Sequence, residues 1–170
     1  SGGTVLISQP GRESWSASAV RSETTGNISH EMTLSEIQEV IDAHVLAARR
    51  VVAGGMDGIE ILGAFGFLPQ AFLSPLTNQR SDHYGGDLKN RMRFLMELLE
   101  AVKGELGRDF VLGVRLPGDE FEPGGLDLAQ MREVCGRINA SGLVDYFNII
   151  AHTNITHLGR ARHWAPTPTP

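Results

Sequence analysis

Apolar positions along this chain recur at two periods, and their alternation sets the expected fold. Thr4–Ser8 (TVLIS) is short, apolar and partly β-branched, a buried strand that ends at the turn Gln9-Pro10-Gly11. Residues 13–30 are polar and rich in Ser and Thr, and read as loop. Thr33 and Glu36 then form a T-x-x-E capping box. Ile37, Val40, Ile41, His44, Val45, Ala48 and Val52 follow as one helical stripe, which Gly54-Gly55 ends. Asp57–Ala64 (DGIEILGA) reads as a second strand. Asp87 caps a helix running to about Gly107, with Leu88, Met92, Leu95, Leu99, Val102 and Leu106 on its stripe. Phe110–Leu116 (FVLGVRL) is a third strand. Asp127 and Gln130 open another helix, with Leu128, Met131, Val134, Cys135 and Ile138 on one face and Ser141-Gly142 as its stop. Tyr146–Ile150 (YFNII) is a fourth strand, and the tail HWAPTPTP is extended.

The order is strand and helix in alternation, with short links after helices and long links (9–32, 65–87, 117–126) after strands. Such alternation predicts parallel strands joined by right-handed crossovers. The long links mark the strands' carboxyl ends as the place for chemistry, as in an α/β barrel or an open α/β sheet. No second domain, repeat or low-complexity linker is seen.

Composition narrows the class. The chain has 170 residues, 41% hydrophobic, enough for one domain with a sizeable core. A net charge of −5 argues against a nucleic-acid or membrane-surface partner. The single cysteine, Cys135, permits no internal disulfide and suits a reducing, cytoplasmic compartment. No apolar run approaches the ~20 residues that span a bilayer. SGGTVLIS lacks the pattern of a signal peptide and does not begin with Met, as in a processed chain or a piece of a longer one.

The link FLSPLTNQRSDHYGGDLKNR is dense in turn formers and charges. Pro75 and Gly85-Gly86 fix turns, Arg80 and Asp82 can pair with each other or with loop carbonyls, and Asp87 caps the next helix. Two readings follow: a rigid loop held by its own hydrogen bonds, or an active-site wall.

The stretch DGIEILGAFGFLPQAFLSPLTNQRSDHYGGDLKNRMRF resembles the old yellow enzyme family of FMN-dependent oxidoreductases. PGR at 10–12, GVRL at 113–116 and EPGGL at 122–126 support the resemblance, and LGRARHWAPTPTP is similar to the branch with 2,4-dienoyl-CoA reductase and the amine dehydrogenases. The resemblance implies a (β/α)₈ TIM barrel with FMN at its carboxyl-terminal mouth, reduced by NAD(P)H or by a small-molecule substrate. Arg115 matches the arginine near the flavin N1/O2 edge, where a fixed cation stabilises the anionic reduced flavin. The strand alone also allows a pairing of Arg115 with a carboxylate such as Glu60.

Departures from the family pattern carry as much information. The positions from which two hydrogen-bond donors polarise a substrate carbonyl are here Leu62 and Phe65, and the tyrosine that commonly follows is Phe67. None of the three side chains can donate. This argues against conventional enone reduction, and leaves either an apolar or amine substrate or a lost activity. On the preceding strand, Leu6 stands at the family's flavin-contacting glutamine and Gln9 at its histidine, so Gln9 is a candidate flavin contact. His152 follows a strand end and is expected to face the barrel mouth. The spacing of His152, His157 and His163 without a nearby Cys or Glu is a poor metal signature, so no metal site is expected. Cys135 cannot supply the iron–sulfur cluster of the longer relatives and is expected in the core.

A complete barrel needs ~250 residues. The chain therefore reads as a single incomplete TIM-barrel domain over 1–170, holding the third to sixth strands with their helices, with loose termini at 1–3 and 164–170. Weak or absent FMN binding by the chain alone is expected. The alternative is an inactive remnant, or a half barrel that pairs with a second copy through its open edges without flavin.

Overall fold

The computed structural model describes residues 14–21, 28–107 and 109–151. Its elements are β1 (Trp15–Ser16), β2 (His30–Glu31), α1 (Leu34–Ala53), β3 (Gly58–Leu62), α2 (Leu68–Leu73), α3 (Leu88–Leu106), β4 (Val111–Pro117), α4 (Leu128–Ser141) and β5 (Tyr146–Ile150). The expected strand at 4–8 and both termini lie outside the described residues.

Helix starts follow the side chains that cap them. Thr33 accepts from the Glu36 amide while the Glu36 carboxylate accepts from the Thr33 amide (2.7 Å), closing the capping box of α1. Asp87 accepts from the Asn90 amide (2.8 Å) at α3. Asp127 and Gln130 form a second capping box at α4. At the other end of α4, Gly142 adopts φ 65°, a left-handed stop that favours glycine.

β3, β4 and β5 form one parallel sheet in that order. Glu60 pairs with Gly113 and Gly113 with Tyr146; one layer up, Leu62 pairs with Arg115 and Arg115 with Asn148. Period-two alternation gives the sheet two unlike faces. Ile61, Leu112, Val114 and Leu116 are buried in the core with Ile37, Ile41 and Ala48 of α1, Leu95, Leu98, Leu99 and Val102 of α3, and Met131, Val134 and Ile138 of α4. The opposite parity carries Glu60, Leu62, Gly113, Arg115, Tyr146 and Asn148.

Two helical stripes end short of expectation. Val52 near the end of α1 is 45% exposed, and Leu128 at the start of α4 is 60% exposed. Both sit at a terminus, beyond the reach of the neighbouring layer. Cys135 is only half-buried, packed at the edge of the core, and burial holds its thiol above the usual range.

Residues 65–87 and 13–30 contain more structure than expected. α2 is a six-residue helix with every residue buried, and β1 pairs with β2 in parallel. The link between α2 and α3 is a loop held by its own polar side chains, bonded within the loop and to the backbone around it. Asn78 donates through Nδ2 to the carbonyls of Phe72 (2.6 Å) and Tyr84 (2.8 Å) and accepts from the Arg80 amide. Arg80 is buried; its Nη1 donates to the carbonyls of Ala17 (2.9 Å) and Met32 (2.6 Å), and its Nη2 pairs with Asp82 at 2.6 Å. Arg91 of α3 donates to the carbonyls of Leu73 and Gly86. A side chain at Gly85 would fall on the Arg80 carbonyl, which requires glycine there.

Candidate functional site

The sheet face turned away from the helices is built by strand parity. On β3 the parity brings Glu60 and Leu62, on β4 Gly113 and Arg115, on β5 Tyr146 and Asn148. A Cβ on Gly113 would fall within the Tyr146 ring, so the absence of a side chain there lets the ring lie across β4. The Tyr146 hydroxyl thereby reaches from β5 to Glu60 on β3, donating to Oε2 at 3.2 Å. Asn148 Nδ2 donates to the same oxygen at 3.1 Å. Partial burial and the Glu60 carboxylate hold the Tyr146 hydroxyl above its usual range.

Arg115 completes this cluster. Its Nε lies 2.9 Å from Glu60 Oε1, so the carboxylate pairing that the strand allowed is present. The N–H is not aimed at that oxygen, however. Nε is buried and has no hydrogen-bond partner among the described residues. The contact is therefore Coulombic, and a buried donor is left over. The side chain is 35% exposed and stands two residues before the end of β4, at the carboxyl side of the sheet.

Leu62 faces Arg115 across the β3–β4 ladder. The chain then leaves β3 against β4: the Gly63 amide donates to the Arg115 carbonyl (2.8 Å). Phe65 adopts φ 58° and Gly66 φ 76°, two successive left-handed residues that redirect the chain. The region suits glycine and tolerates Asn, Asp and His, but strains a phenylalanine. Phe67 is the N-cap of α2 and offers that helix no side-chain hydrogen bond. Instead the Gly66 amide donates to Gln70 Oε1 at 2.9 Å. Leu62, Phe65 and Phe67 are all half-buried.

Of the expected site residues, Arg115, Leu62, Phe65 and Phe67 thus lie at the carboxyl ends of β3 and β4. Gln9 and His152 lie outside the described residues. Sequence reasoning named Glu60 only as a partner and passed over Tyr146 and Asn148. Their signal was available: polar side chains at alternating positions of an otherwise apolar strand, in phase with Arg115. Among the described residues no group of His, Cys, Asp and Glu could hold a metal ion, and no helix is long and apolar enough to cross a membrane.

Arg115 is paired with the Glu60 carboxylate and its side chain is still 35% exposed. The exposed part of the guanidinium, and not the buried Nε, is what an FMN edge would meet. The neighbouring Leu62 offers contact area, and its side chain makes no hydrogen bond.

Comparison with known proteins identifies the family and the fold. Residues 8–169 match the NADH:flavin oxidoreductase / NADH oxidase family. The chain is 45% identical over 122 residues to the N,N-dimethylglycine/sarcosine dehydrogenase of Chromohalobacter salexigens, covering 72% of this chain and 18% of that protein. It is 49% identical over 115 residues to a probable N-methylproline demethylase of Rhizobium meliloti, covering 68% and 17%. The structure of a 2-naphthoyl-CoA reductase complex superimposes with a TM-score of 0.77 at 36% identity, over 81% of this chain and 21% of that one. The chain spans under a fifth of the length of these two curated relatives.

Proposed function

Since this chain belongs to the NADH:flavin oxidoreductase / NADH oxidase family, an FMN-dependent oxidoreductase family built on the TIM barrel, we propose that it forms the arginine side of a flavin site whose substrate is an N-methylated amine. Arg115 would hold the flavin's pyrimidine edge, and the amine would take the place of NAD(P)H, the family's electron donor, in reducing the flavin. When bound, FMN supplies a hydride acceptor. Leu62, Phe65 and Phe67 would line the substrate side, with Gln9 and His152 as further candidates.

The observation that carries this reading is the register pair Leu62–Arg115. The cation that suits a flavin edge has, as its neighbour, an apolar side chain where a carbonyl-polarising donor would be needed. An enone requires such a donor, because negative charge builds on its oxygen during reduction. An amine does not. As hydride leaves the carbon beside nitrogen, the nitrogen lone pair forms the C=N bond and carries the positive charge. The similarity to proteins named for dimethylglycine, sarcosine and N-methylproline supports the same class.

Titration of the chain with FMN, followed by flavin fluorescence, tests the arginine. Weak saturable quenching is expected, lost in Arg115→Ala; equal saturable quenching in both proteins overturns the assignment. Substrate class is tested anaerobically on the flavin-loaded chain. N-methylated amino acids should bleach the flavin absorbance, and an enone should not restore it faster than buffer does. The reverse pattern rejects the amine reading.

A further inference from the structure

We infer that Glu120 is a positioning residue, whose buried carboxylate ties the loop after β4 to the Phe65–Phe67 turn and so fixes the backbone of that turn. That the turn is a substrate wall rests on the reading above; the tie itself does not.

Glu120 is fully buried. Its Oε1 accepts from Gln70 Nε2 at 2.9 Å. Its Oε2 accepts from the Leu126 amide and from Ser74 Oγ, each at 2.8 Å. The orientation of the Gln70 amide is not free. Its Oε1 takes the Gly66 amide, so its Nε2 must point to Glu120. A continuous path therefore runs from the Leu126 amide through Glu120 and Gln70 to the Gly66 amide, linking 120–126 with the turn at 65–67. A Cβ on Gly125 would lie 2.7 Å from Glu120 Oε2, so glycine there admits the carboxylate.

No salt bridge to Glu120 is found among the described residues, and the nearby Asp119 carboxylate opposes its charge. A buried carboxylate held by neutral donors is costly, and an apolar side chain would fill the space without that cost. Its value lies in geometry. Two neutral donors and an amide converge on one carboxyl plane, and Gln70 is set by it. Phe65 sits in left-handed backbone, a conformation that in a residue other than glycine persists only where surrounding contacts over-determine it.

Amide exchange tests the tie without flavin or substrate. Glu120→Gln replaces one acceptor oxygen by an NH2 group, so a donor must face a donor at the Gln70 or at the Leu126 side. Protection at Gly66, at Leu126 or at both should fall by about tenfold, the scale of one hydrogen bond to a charged group, while Leu98 and Leu99 of α3 keep theirs. The exchanged pair Gln70→Glu with Glu120→Gln rebuilds every donor–acceptor match and should restore both amides. Unchanged Gly66 and Leu126 in the single variant, a uniform loss across α3 as well, or no restoration in the pair overturns the proposal. Should the single variant fail to fold, the unaltered chain decides. The Gln70 side-chain amide protons should shift together with the Glu120 carboxyl carbon on titration, and amide protons that stay fixed reject the tie. Flavin binding enters none of these readouts, so failure of the proposed function is seen separately.

Discussion

The loop at 74–87 and the turn at 63–67 both border α2, yet they are held by opposite means. In the loop, long polar side chains turn inward: Arg80, Asn78 and Asp82 bond to carbonyls, amides and each other. In the turn, Leu62, Phe65 and Phe67 present apolar groups, and the backbone is fixed from outside by Gln70 and by the Arg115 carbonyl. A segment whose own polar side chains tie it down is scaffold. One fixed by its neighbours keeps its own side chains for something else.

The sharpest way to break this contrast is to remove the loop's central cation. Arg80→Ala leaves the Ala17 and Met32 carbonyls without their donor and Asp82 without its partner. Because Asp82 is a third exposed, the loss is expected at the lower end of the range for a broken buried pair, about 3 kcal/mol. Urea unfolding would measure it. Arg80→Lys should recover little, since an ammonium cannot serve two carbonyls and a carboxylate in the same plane. A loss below about 1 kcal/mol, the net worth of one ordinary hydrogen bond, would mean that the loop is not over-determined.

Much of this scaffold was legible beforehand. Capping boxes, glycine stops and the Asp87 cap are local codes, and each is found where its residues stand. Strand parity was equally direct on β4, where Leu112, Val114 and Leu116 alternate with Gly113 and Arg115. α2 was not legible, because a helix buried all round has no polar face and so no period. β1 and β2, at two residues each, are too short to show alternation. Glu120 escaped for a different reason. A glutamate in a link rich in glycine and acidic residues reads as solvated, and only the fold brings Gln70 and Ser74, some fifty residues away, against it. At the site, Arg115, Leu62, Phe65 and Phe67 were named from resemblance, whereas the Tyr146–Glu60 contact depends on the missing side chain at Gly113.

A smaller change probes the turn. Phe65 holds φ 58° at a cost for a residue without a local hydrogen-bonding side chain. Phe65→Asn should relieve about 1 kcal/mol of backbone strain, less whatever apolar contact the ring makes, and raise the midpoint of thermal unfolding. Phe65→Ala is the control, because it removes the ring at the same φ without supplying a local hydrogen-bonding side chain. Phe65→Asn should therefore be the less destabilising of the two, or stabilising outright. Equal losses in both variants would show that ring packing, and not backbone strain, governs the turn.

The smallest effect is one of sign, and pH exposes it. Hydrogen bonding from Arg80 holds the Asp82 carboxyl below its usual range. The stability Asp82 contributes is thus present above its unfolded pKa and is lost as pH falls through the lower folded value. Glu120 runs the other way, since burial pushes its carboxyl above the usual range. Its contribution is complete below the unfolded pKa, and is lost as pH rises through the higher folded value. Acid should then weaken the loop without breaking the tie to the turn, since a protonated Glu120 Oε2 can donate to Ser74 Oγ, still accept from the Leu126 amide and leave Oε1 to Gln70. Amide exchange of the described backbone at two pH values, corrected for intrinsic rates, separates the two. On acidification, protection at Tyr84, whose amide donates to Asp82, should fall relative to Gly66. In Asp82→Asn that relative fall should vanish, with an overall cost of roughly 0.5–1 kcal/mol for a partly exposed pair. A parallel response of Tyr84 and Gly66 would mean that loop and turn open as one unit.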